Sequence, residues 1–220
     1  MPHGPLSLPA RLCLLAWDAA RPTATARPTA TARLSDLVRA GALTELAQRG
    51  LLTDEDGIAT PVDLDAVAGD AVLDGLLELV RESCPHPWRT WVTLRARVTL
   101  DAVREQLVAE GWLRAEKKRV LGVFPSVEYA LERVAVVDAL REETRQVLLG
   151  PSPVAGVSER DAAVAALAAA ADLLGQDLAA REQRVEELTE RAGAASPGLA
   201  KIVREVRAAV SAAMAASASP

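Results

Sequence analysis

Apolar residues recur at helical spacing along most of the chain. Leu8, Leu12 and Leu15 share one face and predict a helix from about Ser7 to Asp18. Leu34, Val38, Ala42 and Leu46 return every fourth residue, so a second helix is expected, capped by Ser35 and stopped by Gly50. On that helix Glu45 stands one turn before Arg49, the spacing of an ion pair along the helix. Arg39 lies on its flank and is expected to lay its stem over the core with the guanidinium outward. Asp70 opens a third helix through Val72, Leu73, Leu76, Leu77 and Val80, which ends before Pro85.

Leu100, Val103, Leu107 and Val108 form the apolar stripe of a helix over Thr99 to Glu110, and Gly111 ends it. Trp112 to Tyr129 reads as a β-hairpin whose turn region takes in Lys117, Lys118 and Arg119, followed by Val120, Leu121, Val123 and Phe124. Helical patterns resume over Glu132 to Leu149, Ser158 to Leu174, Asp177 to Arg191 and Pro197 to Ala216, with Pro151 to Gly156 as a linker. The expected fold is therefore mainly α, a single helical domain over residues 1–220 with a β-hairpin insertion.

Three segments fall outside this pattern. The hexapeptide RPTATA occurs twice in tandem and is closed by Arg33. Its prolines and threonines argue against helix, so 21–33 is expected to be a basic low-complexity loop presenting Arg21, Arg27 and Arg33. Thr53 to Gly69 is acidic and turn-rich, with room for one short strand. The tail at 217–220 is expected to be disordered.

Composition narrows the chemistry. Lysine occurs only at 117, 118 and 201 while arginine and alanine abound, the signature of a GC-rich, bacterial coding sequence. A net charge of -5 argues against a generic nucleic-acid binder. Cys13 and Cys84 stand alone and are expected to be reduced core thiols. His3 and His86 are too few to build a metal site, and no cofactor is expected. Nucleophile elbows, phosphate loops and dinucleotide fingerprints are all absent, so the reading is non-enzymatic. The carboxylate pairs Glu142–Glu143 and Glu186–Glu187 sit on solvated helix faces. No secretory leader is visible, and apolar runs stay well under the ~20 residues that span a bilayer, so a cytoplasmic protein with at most peripheral membrane contact is expected.

One stretch reverses the overall charge. Between Arg89 and Arg119 eight basic residues face four acids, a local net of +4, with Trp88, Trp91 and Trp112 interleaved. Such a mixture suits an anionic membrane surface. Each base there contributes about 1 kcal/mol, so +4 alone gives only about millimolar affinity. Within this stretch Arg104 points into the apolar stripe of its helix, where an unpaired charge costs several kcal/mol. Either it pairs internally with Asp101, or it stands at the floor of a pocket that takes an anion.

Several segments, in order, resemble the Golgi phosphoprotein 3 family: LPARLCLLAWD (8–18), LVRAGALTELAQRGLL (37–52), DAVLDGLLELV (70–80), TWV around Trp91 and DAVREQLVAEGWLRAEKKRVLGVFPSVEY (101–129). The alanine-rich helix from Ala162 to Leu174 completes the run. The resemblance implies a helical domain whose apolar hairpin enters a membrane or pairs subunits, and a shallow basic pocket for phosphatidylinositol 4-phosphate. In eukaryotic relatives it implies retention of glycosyltransferases at the Golgi. Carried over by position, Arg39 and Arg104 are the headgroup-binding residues, whereas two other pocket positions fall on Ala30 and Asp101. The hairpin residues Lys117, Lys118, Arg119, Val120, Leu121, Val123 and Phe124 become the membrane or subunit contact. Expected partners are an anionic, phosphoinositide-like lipid, possible copies of the same chain and possible protein clients, with no nucleic acid. The alternatives are a helical adaptor or oligomer without lipid contact, and a winged-helix-like DNA-binding protein built on the Gly111 hairpin.

Overall fold

Leucine and alanine cover every side of one helix, and the rest of the protein assembles around it. The computed structural model describes residues 6–17, 28–120, 124–173, 182–194 and 199–216. In chain order the helices and strands are α1 (Leu8–Leu15), α2 (Pro28–Gln48), β1 (Leu52–Glu55), β2 (Ile58–Pro61), α3 (Ala71–Glu82), α4 (Trp88–Thr93) and α5 (Ala96–Ala109). Then follow β3 (Leu113–Val120), β4 (Phe124–Leu131), α6 (Val134–Leu149), α7 (Glu159–Ala170), α8 (Glu182–Ala192) and α9 (Leu199–Ala216). The mainly α class read from the sequence holds, with strands confined to two antiparallel pairs among the described residues.

Helix α2 is the hub. Every residue from Leu37 to Ala47 is buried. Helices α1, α3, α4, α5, α7 and α9 all touch it. It separates two apolar clusters. The larger gathers Leu43 and Leu46 with Trp88, Trp91 and the alanines of α7; the smaller gathers Val38 with Cys13, Trp17, Leu100, Val103, Leu107 and Trp112. Gly41 permits the close approach of α1: a Cβ there would come within 2.6 Å of Leu12 Cδ1 and 3.2 Å of the Pro9 backbone.

Helix α2 begins at Pro28, which corrects the expected loop over 21–33 in its second half. Proline lacks an amide hydrogen, and at the first helical position that hydrogen has no partner to lose. Ser35 sits buried inside the helix instead of capping it. Arg21 and Arg27, and the tail at 217–220, lie outside the described residues.

Local signals elsewhere behave as their chemistry requires. Asp70 caps α3, accepting from the Val72 and Leu73 amides at 3.0 and 3.1 Å. The acidic segment forms two strands, not one. Asp56 and Gly57 both take positive φ, 52° and 87°, the two-residue turn that suits the twist of a hairpin. Trp88 and Trp91 are fully buried and Trp112 nearly so, which removes the interfacial role expected of them. Cys13 is a core thiol as expected, but Cys84 is exposed in the loop after α3.

Glu45 joins three elements at the centre. Its carboxylate accepts the Leu8 amide at 2.6 Å, pairs with Arg49 at 2.5 Å as the spacing predicted, and meets Arg160 of α7 at 3.5 Å. It therefore caps α1 from another helix, a role that Ser7 leaves unfilled. Replacing Glu45 by alanine leaves the buried Leu8 amide without its acceptor and removes the ion pairs to Arg49 and Arg160. With hydrogen bonds to charged groups worth roughly 1.5–3 kcal/mol, a loss of about 3 kcal/mol in urea denaturation is expected. An unchanged midpoint would show the contact to be idle.

Candidate functional site

The candidate site joins Arg39 of α2, which meets the start of α5, to Arg104 at the middle of α5. Arg39 is fully buried, contrary to the expectation that its guanidinium would reach outward. Helices α4 and α5 both pack against α2. Nη2 donates to the Arg95 carbonyl at 2.8 Å, while Nε and Nη1 find no acceptor. Burial pulls the Arg39 pKa down to about 10, and Asp36, one turn earlier, works against that shift. The same burial pushes Asp36 up to about 6, with Arg39 pulling it back.

The acceptor is itself unusual. Arg95 precedes α5 in the left-handed region at φ 53°, a conformation that costs a non-glycine residue energy, and no side chain caps the helix there. Its carbonyl also accepts the Val98 amide at 3.0 Å. Arg39 thus fixes the joint from which α5 departs.

Arg104 lies nine residues further along α5, its side chain 11% exposed. Nη1 stands 3.9 Å from Asp101 Oδ1, an ion pair too long to be a hydrogen bond. Asp101 is half exposed and is shared with Arg97 at 3.7 Å. Nε of Arg104 has no acceptor, and the guanidinium carbon lies 5.2 Å from the centre of the Tyr129 ring. Burial raises the Cys13 thiol to about 11, with the Arg104 charge lowering it. The internal pair weighed from the sequence is therefore loose.

Downstream, Gly111 turns the chain at φ 72° and Trp112 packs beneath Arg133, whose guanidinium carbon is 4.5 Å from the ring. Arg133 Nη2 donates to the Glu110 carbonyl at 3.0 Å and closes the end of α5. The hairpin follows in register from Leu113 opposite Leu131 to Val120 opposite Phe124. Lys117, Lys118 and Arg119 belong to β3, opposite Val127, Ser126 and Pro125, so they are not in the turn. Val120 and Phe124 are the last pair; Leu121 and Val123 lie outside the described residues. At the base Leu113 is buried, whereas Val127 is 48% exposed.

The structure brings Arg39 and Arg104 to the same helix, one at its start and one at its middle, and brings the hairpin base to its end. Sequence reasoning missed Asp36, Arg95, Tyr129 and Arg133. Only Asp36 had a signal, its place one turn before Arg39. A groove of about 560 Å³ between α1, α6 and α7, lined by Arg11, Glu142, Glu143 and Asp161 among others, contains neither arginine.

The raised Asp36 pKa has a consequence for stability. Its folded value of about 6 exceeds the ordinary 3.8, so the fold favours the protonated acid. The cost of its charge is present above pH 6 and is relieved as pH falls from about 6 to about 4. Asp36→Asn is therefore expected to raise the urea midpoint at pH 7.5 and to have no effect near pH 4. A lower midpoint at pH 7.5 would contradict this.

A family profile for Golgi phosphoprotein 3 (GPP34) matches residues 8–210, nearly the whole chain. No curated protein matches it. The matched span runs from the first residue of α1 into α9 and takes in α2, α5 and the β3–β4 hairpin. The chain therefore belongs to the Golgi phosphoprotein 3 family.

Proposed function

We propose that this protein is a non-enzymatic, peripheral membrane protein of the cytoplasm that binds anionic lipid through a phosphatidylinositol 4-phosphate-like headgroup. The observation that carries the reading is Arg104: a nearly buried guanidinium whose ionic partner among the described residues, Asp101, stands 3.9 Å away and whose Nε has no acceptor among them. A buried charge so poorly matched is costly, and a phosphate oxygen would supply the missing acceptor. Arg39 of α2, fully buried against the start of α5, holds two more unfilled donors inside the fold. No described helix is long and apolar enough to cross a membrane, which fits attachment from one side. The hairpin would supply the apolar and basic contact that a net +4 cannot supply alone, or an interface between copies.

Asp101 shapes the ligand preference. It occupies a position where the family places an arginine, and here it draws on both Arg97 and Arg104. Its charge would weaken the hold on a phosphate, so this chain binds phosphoinositide less tightly than a relative with arginine there.

Co-sedimentation with phosphatidylcholine vesicles, with and without phosphatidylinositol 4-phosphate, tests the reading. Binding is expected only to the phosphoinositide vesicles, and Arg104→Ala is expected to weaken it at least tenfold, about 1.4 kcal/mol. Asp101→Asn is expected to strengthen it severalfold. Equal binding to both vesicle types, indifferent to Arg104→Ala, would overturn the lipid reading. If Leu121→Asp then broke an oligomer in ultracentrifugation, the adaptor alternative would stand in its place.

A further inference from the structure

Large apolar side chains stand exposed in three places among the described residues. Val127, Val134 and Val136 lie on β4 and at the start of α6, where Glu128, Glu132, Arg133 and Asp138 mix both signs of charge. The other two places each carry one sign. Val62, Leu64 and Val67, 59%, 70% and 73% exposed, lie in the loop between β2 and α3, with Asp63 and Asp65 exposed between them. Val98, 63% exposed, stands in the first turn of α5 with Arg95 and Arg97 exposed beside it.

The acidic loop is exposed without being loose. Arg81 Nη2 donates to the carbonyls of Asp63 and Ala66 at 2.8 and 2.5 Å, and Arg49 Nη1 donates to that of Ala68 at 2.8 Å. The Ala68 amide donates to Asp74 at 2.6 Å, and the Val62 amide to the Leu51 carbonyl at 3.1 Å. Asp63 turns back to accept the Asp65 amide at 2.9 Å. These bonds fix the backbone from both ends while three apolar side chains stay in water. Ordered, exposed apolar surface rimmed by charge is the mark of a protein contact.

The α5 corner is built the same way with the opposite sign. The Arg95 carbonyl accepts from Arg39 and from the Val98 amide, which holds this residue at φ 53° while its side chain stays exposed. The Arg97 side chain is 74% exposed and meets Asp101 at 3.7 Å. The charges also match in spacing: Asp63-Leu64-Asp65 in the loop, Arg95-Ala96-Arg97 at the corner.

We propose that the 62–67 loop of one copy docks on the Arg95–Val98 corner of a second copy of this chain. Val62, Leu64 and Val67 cover Val98, and Asp63 and Asp65 pair with Arg95 and Arg97. Carboxylate and guanidinium form short, charge-assisted hydrogen bonds. Exposed pairs are weak alone, so the apolar side chains supply most of the affinity and the charges select the partner. The two patches are unlike, so the contact either repeats reciprocally about a two-fold axis or adds copies head to tail. This interface uses neither Arg104 nor the β3–β4 hairpin, and it stands whether or not the protein binds lipid.

Sedimentation velocity of the full chain, over a range of concentrations and in low and high salt, tests the inference. Association that grows with concentration and weakens in high salt is expected. Leu64→Asp is expected to weaken it about tenfold or more. Asp63→Arg with Asp65→Arg, and separately Arg95→Glu with Arg97→Glu, are each expected to weaken it as strongly. An equal mixture of those two double variants is expected to associate again, because each reversed patch then meets its opposite on the other protein. Circular dichroism confirms that each variant is folded. A wild type that stays monomeric throughout, or a mixture that does not associate, would overturn the inference. So would association that ignores all of these changes but is broken by Leu121→Asp, which would place the interface on the hairpin. Loss of vesicle binding with association intact in the Arg95→Glu, Arg97→Glu protein would make the corner a membrane surface instead.

Discussion

Helix α2 is enclosed on all sides, and a charged group on it must find its partner inside the protein or draw one in. Two of its buried residues answer that constraint in opposite ways. Glu45 is met by an amide and two arginines, and those contacts tie α1 and α7 to the central helix. Arg39 is met by a single carbonyl and keeps two donors unfilled. The first arrangement is structural. The second combines a structural contact with unused donors inside the fold.

That contact also decides where α5 goes. The helix leaves a left-handed turn at Arg95 that Arg39 holds from behind, carries Arg104 at its middle, and is closed at its end by Arg133 over Trp112. The β3–β4 hairpin departs from there, with its base packed and Val127 already open to solvent. One helix thus links a fully buried cation, a nearly buried cation and a hairpin. Under the proposed lipid reading, such a linkage would let a headgroup and the hairpin act on a membrane together, so that their energies combine where charge alone is too weak.

Much of this was legible in the sequence where the chemistry is local. The Asp70 cap, the stop at Gly111, the α5 stripe and the Glu45–Arg49 spacing each depend on residues within a turn or two. The hairpin and the family resemblance were legible too. The Asp56–Gly57 turn was readable but passed over in favour of a loop. What failed depended on the fold as a whole. The outward course expected for Arg39 assumed an open flank on α2, and the flank is closed by helices distant in sequence. Trp88, Trp91 and Trp112 read as interfacial because they lie among bases, yet their rings are buried while Arg89, Arg95, Arg97 and Arg114 are exposed. The RPTATA repeat read as a loop because proline breaks helices, although proline at a first helical position does not. Arg95 carried no sequence signal, since nothing marks an arginine destined for a left-handed turn.

The central claim is that Arg39 and Arg104 remain incompletely satisfied because an anion completes them. A crystal structure of the protein with glycerophosphoinositol 4-phosphate measures this directly. Phosphate oxygens should lie about 2.7–2.9 Å from Arg104, with Nε donating, and Asp101 should have moved off it. Arg104 closed in a tight pair with Asp101, and no ligand at either arginine, would contradict it.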